Sequence, residues 1–139
     1  MAKYKYRIVK DGNWRFELLP NNSNLQYVGR SEGYQTKEEM LGGLNRFKNF
    51  LRKNQTDILY NKETVKKDNN TFYYAYLVFS DNNEKFYTRE YWHKYEPDNS
   101  IERIINNFDS NVRNDLSVIK KERWSWKNYY QSFWQFVWC

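Results

Sequence analysis

Trp14-Arg-Phe-Glu-Leu-Leu19, a polar turn and Leu25-Gln-Tyr-Val-Gly-Arg-Ser31 precede an apolar helical stripe of Met40, Leu44, Phe47 and Leu51. The same succession returns as Phe72-Tyr-Tyr-Ala-Tyr-Leu77, a longer turn, Lys85-Phe-Tyr-Thr-Arg-Glu-Tyr91, and then Ile101, Ile105, Phe108 and Val112. Trp14, Phe16 and Leu18 alternate with Arg15 and Glu17, the period-two pattern of a half-buried antiparallel strand. The helical positions correspond at a constant offset, with Met40 answering to Ile101 and Leu51 to Val112. The change in length therefore falls in the strand–strand turn, where insertions cost least. The pattern predicts an α+β fold of two β-β-β-α repeats with antiparallel sheets, plus a C-terminal aromatic helix.

Local signals set the boundaries. Tyr4-Lys-Tyr-Arg-Ile-Val-Lys10 runs into Asp11-Gly12-Asn13, a hairpin turn. Thr36-Lys-Glu-Glu39 has the form of a capping box and predicts a helix from about Lys37 to Lys53. In the second copy Glu63-Thr-Val-Lys66 is the candidate first strand and Asp68-Asn-Asn70 replaces the glycine turn. Pro97-Asp98 takes the place of Thr36-Lys37, which suits a helix entry and predicts a helix near 98–113. The chain divides as one domain: a first repeat at 1–60, a second at 61–116 and an aromatic helix at 117–139.

That last segment is apolar on most of its circumference. Aromatic or apolar residues stand at 124, 126, 129, 130, 133, 134, 136, 137 and 138, so the spacing predicts a helix over much of 118–137. Such a helix packs as a third layer. Alternatively Trp124, Trp126, Trp134 and Trp138 form a surface for a partner or for base stacking.

Gly12-Asn-Trp-Arg-Phe-Glu-Leu-Leu19, Ser31-Glu-Gly-Tyr34, Thr36-Lys37 and Gly43-Leu44 resemble the YegP-like family, formerly a domain of unknown function. The resemblance covers residues 6–52 well. Residues 65–113 match by spacing, with Trp92-His-Lys-Tyr95 in place of the Ser-x-x-Tyr segment and Ile104 in place of Gly43. It implies a repeat of three antiparallel strands and a helix, paired with a second repeat or a second chain. It brings no catalytic residues.

Charge narrows the function. Residues 1–60 carry 11 Lys/Arg against 6 Asp/Glu, 61–116 carry 8 against 10, and 117–139 carry 4 against 1, for a net +6. A basic half points to nucleic acid or an acidic partner. Arg46, Lys48, Arg52 and Lys53 offer phosphate contacts on the first helix, and Tyr4, Tyr6, Tyr27 and Tyr34 offer stacking groups. One histidine, His93, and one cysteine, the terminal Cys139, supply neither a zinc set nor an activated nucleophile, so no enzyme activity, metal or cofactor is expected. No apolar run approaches the ~20 residues of a membrane span, and a lone cysteine suits a reducing, cytoplasmic compartment.

The function expected is a small non-enzymatic protein that docks on and inhibits or regulates a nucleic-acid-handling complex, as an anti-CRISPR protein does. The alternative is an accessory protein that binds DNA or RNA directly with little sequence preference. A homodimer, formed through an edge strand or the tail, is the further partner to consider.

Overall fold

The computed structural model describes residues 3–22, 26–54, 57–112 and 118–120. Its elements are β1 (Tyr4–Lys10), β2 (Trp14–Pro20), β3 (Gly29–Ser31), α1 (Lys37–Lys53), β4 (Asn61–Lys67), β5 (Asn70–Val78), β6 (Lys85–Tyr87), α2 (Glu96–Asn107) and β7 (Val118–Lys120). They form one sheet in the order β4-β5-β6-β3-β2-β1-β7. The first six strands pair antiparallel and β7 pairs parallel with β1. The fold is α+β, a sheet with two helices packed on one face.

Alternation decides that face. Tyr6, Ile8, Phe16 and Leu18 from β1 and β2, with Ala75, Leu77 and Phe86 from β5 and β6, form a single cluster with Met40, Leu44, Phe47 and Leu51 of α1 and Ile101 and Ile104 of α2. Phe47 stacks on Phe86 at 4.2 Å and Phe16 on Phe86 at 5.5 Å, so the aromatic centre joins both halves of the chain.

Turn and cap chemistry follow the residues. Gly12 takes φ +94° between β1 and β2. In the β4–β5 turn Asp68 and Asn69 both take positive φ (53° and 67°), the conformation a two-residue hairpin needs and one that these side chains tolerate. Thr36 Oγ1 accepts from the Glu39 N–H at 3.1 Å, so the expected cap starts α1 at Lys37.

Three expectations are corrected. First, α2 occupies 96–107 rather than 98–113. Beyond it, Tyr6 Oη donates to the Phe108 carbonyl (2.5 Å), Lys48 Nζ donates to the Ser110 carbonyl (2.8 Å), and Asn111 O accepts from the Tyr6 N–H (3.0 Å). Groups on other elements thus satisfy these carbonyls, and the chain is drawn to the edge of β1 instead of continuing the helix.

Second, residues that make like contacts in the two halves stand 57 apart in sequence, not at the offset of 61 that the apolar stripe suggests. The Phe16 N–H donates to Ser31 Oγ and the Ala75 N–H to Thr88 Oγ1, both at 3.0 Å. Trp14 exchanges both backbone hydrogen bonds with Tyr34, as Tyr73 does with Tyr91. Ser31 and Thr88, Tyr34 and Tyr91, and the buried helix residues Met40 and Pro97, Gly43 and Ser100, and Phe47 and Ile104 all stand 57 residues apart.

Third, Val118–Lys120 is a strand rather than the start of a helix. Residues 121–139, with Trp124, Trp126, Trp134, Trp138 and Cys139, lie outside the described residues. The Glu63–Lys66 strand is present and runs from Asn61 to Lys67.

Candidate nucleic-acid interface

Residues directly opposite one another in an antiparallel pair point to the same face. The registers Arg7↔Glu17, Glu17↔Arg30, Arg30↔Tyr87 and Tyr87↔Tyr76 therefore draw one row across the face that carries neither helix. At its β1–β2 end this face is closed. Val9 and Leu19 are fully buried, and Arg7 donates from Nε and Nη2 to Glu17 Oε1 at 3.0 and 2.7 Å. Over β5 and β6 it opens onto tyrosine rings. Tyr74 and Tyr76 stack at 6.4 Å, Tyr76 and Tyr87 lie 5.5 Å apart, and Tyr74 and Tyr87 6.2 Å. Phe72 continues the track to Trp92, 4.6 Å away and 61% exposed.

The local reason is the sequence of β5. In Phe72-Tyr-Tyr-Ala-Tyr-Leu77 the small and aliphatic residues, Ala75 and Leu77, face the helices, which leaves Phe72, Tyr74 and Tyr76 on the open side. Burial pushes the Tyr87 phenol up to about 12, with Glu32 adding to the shift, and burial likewise raises Tyr74. Both rings keep their hydroxyl protons at neutral pH.

A groove of about 790 Å³ runs along this face, with Tyr27, Tyr74 and Tyr87 in its walls. Arg15, Arg30, Lys67 and Arg89 also line it. Asp11 holds two of these cations, accepting from Arg15 Nε and Arg30 Nη2, each at 3.2 Å. Arg15 Nη1 reaches the Ser31 carbonyl at 3.4 Å, the Arg30 guanidinium lies 5.4 Å over Tyr27, and Arg89 Nη1 reaches Gln26 Oε1 at 3.5 Å. Each guanidinium carries five N–H donors, so these contacts fix the planes and leave donors for a ligand.

The four cations expected on α1 are divided between two sides of the helix. At 100° per residue, positions 46 and 53 share one side and 48 and 52 another. Arg46 forms a two-pronged pair with Glu84 (2.6 and 2.8 Å) beside a second groove that Lys53 also lines. Lys48 is engaged with the Ser110 carbonyl and lies 5.2 Å over the Tyr6 ring, and Arg52 reaches Asp109 at 3.1 Å. Burial lowers the Lys48 pKa.

Of the four tyrosines expected to stack, Tyr27 alone lines the groove on the open face. Tyr6 is buried, Tyr4 accepts from Arg103 at 2.9 Å, and Tyr34 donates to Glu84 at 2.7 Å. His93 is an exposed residue stacked on Tyr95 at 5.5 Å. No three His, Cys, Asp or Glu side chains are gathered as metal ligands among the described residues. Among those residues too, no helix is long and apolar enough to cross a membrane.

Tyr74, Tyr76, Tyr87, Arg15, Arg30 and Arg89 are the residues that sequence reasoning missed. The signal was present in β5, where choosing Ala75 and Leu77 as the core side assigns the tyrosines to the other.

No family model and no curated protein matches the sequence. Solved structures do match. A solution structure of YegP from E. coli, a protein of unknown function, superposes with a TM-score of 0.63 at 17% identity, over 86% of this chain and 94% of that one. The chain has the YegP fold. A UPF0339 protein of Shewanella oneidensis has the same fold, with a TM-score of 0.55 at 18% identity over 86% of this chain and 92% of its own. At these identities the likeness is one of architecture. The resemblance to YegP-like proteins noted in the sequence thus holds for the fold, and the aromatic groove is described from this chain's own residues.

Proposed function

We propose that this protein is a non-enzymatic, cytoplasmic binding module whose open sheet face takes single-stranded DNA or RNA. The observation that carries the reading is the joining of a tyrosine track to pre-positioned arginines on the helix-free side of the sheet. Every base has a π-face, so stacking on Tyr74, Tyr76 and Tyr87 is tolerant of sequence and contributes about 1–3 kcal/mol per base. Arg15, Arg30 and Arg89 supply donors for the backbone, while a duplex keeps its bases inside and offers the tyrosines nothing to stack on.

Fluorescence anisotropy with a labelled single-stranded 12-mer tests the reading. Binding is expected to weaken steeply between about 50 and 200 mM salt, and Tyr74→Ala with Tyr87→Ala to abolish it in a protein that still melts cooperatively. Undiminished binding by that double variant contradicts the reading.

A second reading is a protein that docks on and inhibits or regulates a nucleic-acid-handling complex, as an anti-CRISPR protein does. The exposed Trp92 and Tyr95, 61% and 60% accessible, favour it, because large aromatics anchor protein interfaces. Such an interface keeps its affinity at 200 mM salt and loses it in Trp92→Ala.

We further propose that the two β-β-β-α successions are structural repeats, supported by matched hydrogen bonds whose acceptors Ser31 and Thr88 stand 57 residues apart and whose donors Phe16 and Ala75 stand 59 apart. The apolar spacing after Lys120 supports an aromatic helix as a third layer. A packing site for it is suggested by the burial of Val9 and Leu19 on the helix-free face.

A further inference from the structure

A base laid on the Tyr87 ring brings its edge toward the hydroxyl end of that ring, where Glu32 stands. The Tyr87 hydroxyl donates to Glu32 Oε2 at 3.2 Å, which pins the carboxylate at the wall of the groove that both residues line. The groove's other carboxylate, Glu90, is paired with Lys67 at 2.7 Å. Glu32 makes no ion pair among the described residues.

An ionised carboxylate only accepts, with about four lone-pair sites, so one hydroxyl leaves most of its capacity unused. It repels phosphate, and its place beside a stacking ring suits a base edge that donates. Cytosine, adenine and guanine each present an amino group. Uracil and thymine present a single N–H between two carbonyl acceptors, and those carbonyls face a carboxylate unfavourably.

Building on the reading of this face as a single-strand site, we infer that Glu32 is a specificity-determining residue that favours amino-bearing bases over uracil and thymine. Tyr87 acts on this selection as a positioning residue, through the hydrogen bond that orients the carboxylate.

The test is the affinity of the full chain for RNA octamers of cytidine, of adenosine and of uridine, all on the same sugar. The wild-type protein is expected to bind the cytidine and adenosine octamers about five- to tenfold more tightly than the uridine octamer. Glu32→Gln, which keeps the side chain's size, should bring the three affinities within about twofold by losing the preference rather than the binding. Tyr87→Phe retains the ring and removes only the positioning hydroxyl, and should lower the ratio of cytidine to uridine affinity toward the Glu32→Gln value. Equal affinities in the wild-type protein, or a preference that survives in Glu32→Gln, overturn the assignment to Glu32 alone. Failure of every octamer to bind overturns both this assignment and the single-strand reading beneath it.

Discussion

Gly43 shows how one missing side chain organises this structure. A Cβ at that position would run into the Tyr34 hydroxyl and ring. Tyr34 Oη in turn donates to Glu84, which also receives Arg46, so a glycine on α1 makes room for a knot that ties the helix to the β5–β6 turn. Burial first, then the Glu84 carboxylate, raises the Tyr34 pKa and keeps its donating proton in place. Gly43→Ala is expected to destabilise the protein by about 1–3 kcal/mol, the cost of overpacking, as read in urea unfolding. Gly42→Ala on the neighbouring position meets only the Arg46 guanidinium and is expected to raise stability slightly through its helix propensity. Two glycines inside a helical stripe are a sign of close backbone approach. Which of them was pressed, and by what, depended on a tyrosine that β3 and β2 bring across the sheet.

At the scale of elements, α1 illustrates what charge patterning reads and what it hides. Its cap and its apolar stripe were plain in Thr36-Lys-Glu-Glu39 and in Met40, Leu44, Phe47 and Leu51, because both depend on neighbours three and four residues away. Its basic residues were legible as types, but their partners come from elsewhere: Glu84, Asp109 and the Ser110 carbonyl. Reversing Arg46, Lys48, Arg52 and Lys53 to Glu therefore lowers stability along with charge. Arg46 holds the Glu84 carboxylate well below its ordinary value of 4.5, at about 2, with Tyr34 and Ser80 assisting and burial opposing. A depressed carboxylate stabilises the fold above its unfolded pKa and loses that contribution as pH falls through the folded one. Glu84→Gln is thus expected to cost about 1–2 kcal/mol at pH 7, and the gap from wild type to close between pH 4.5 and 2 in thermal melts. A gap that persists unchanged to pH 2 contradicts the assignment. In α2 the apolar spacing alone fixes no alignment of the two halves, because Ile101, Ile104, Ile105 and Phe108 satisfy a helical period at an offset of 57 or of 61. The hydrogen bonds that Ser31 Oγ and Thr88 Oγ1 accept from the Phe16 and Ala75 N–H groups favour the spacing of 57.

In the whole molecule the two faces of the sheet differ in what they carry. One carries both helices and the aromatic core, and the other presents tyrosines and arginines over β5, β6 and β3. The α+β class was legible because period-two and period-3.6 patterns alternate along the chain. The candidate interface was not, since it assembles in one row residues as distant in sequence as Arg30 and Tyr76, and strand order alone makes them neighbours. The aromatic segment after Lys120 provides a test of the third layer: Trp126→Ala and Trp134→Ala are each expected to lower stability by about 3–5 kcal/mol, and full stability with lost partner binding makes that segment a docking surface instead. The central claim is that ligand occupies the helix-free face. It is tested most directly by following amide and tyrosine-ring NMR shifts while a single-stranded octamer is added. The account requires the changes to centre on Tyr74, Tyr76, Tyr87, Arg30 and Arg89, with Lys48, Arg52 and Lys53 unmoved; changes centred on α1, with a silent tyrosine track, would contradict it.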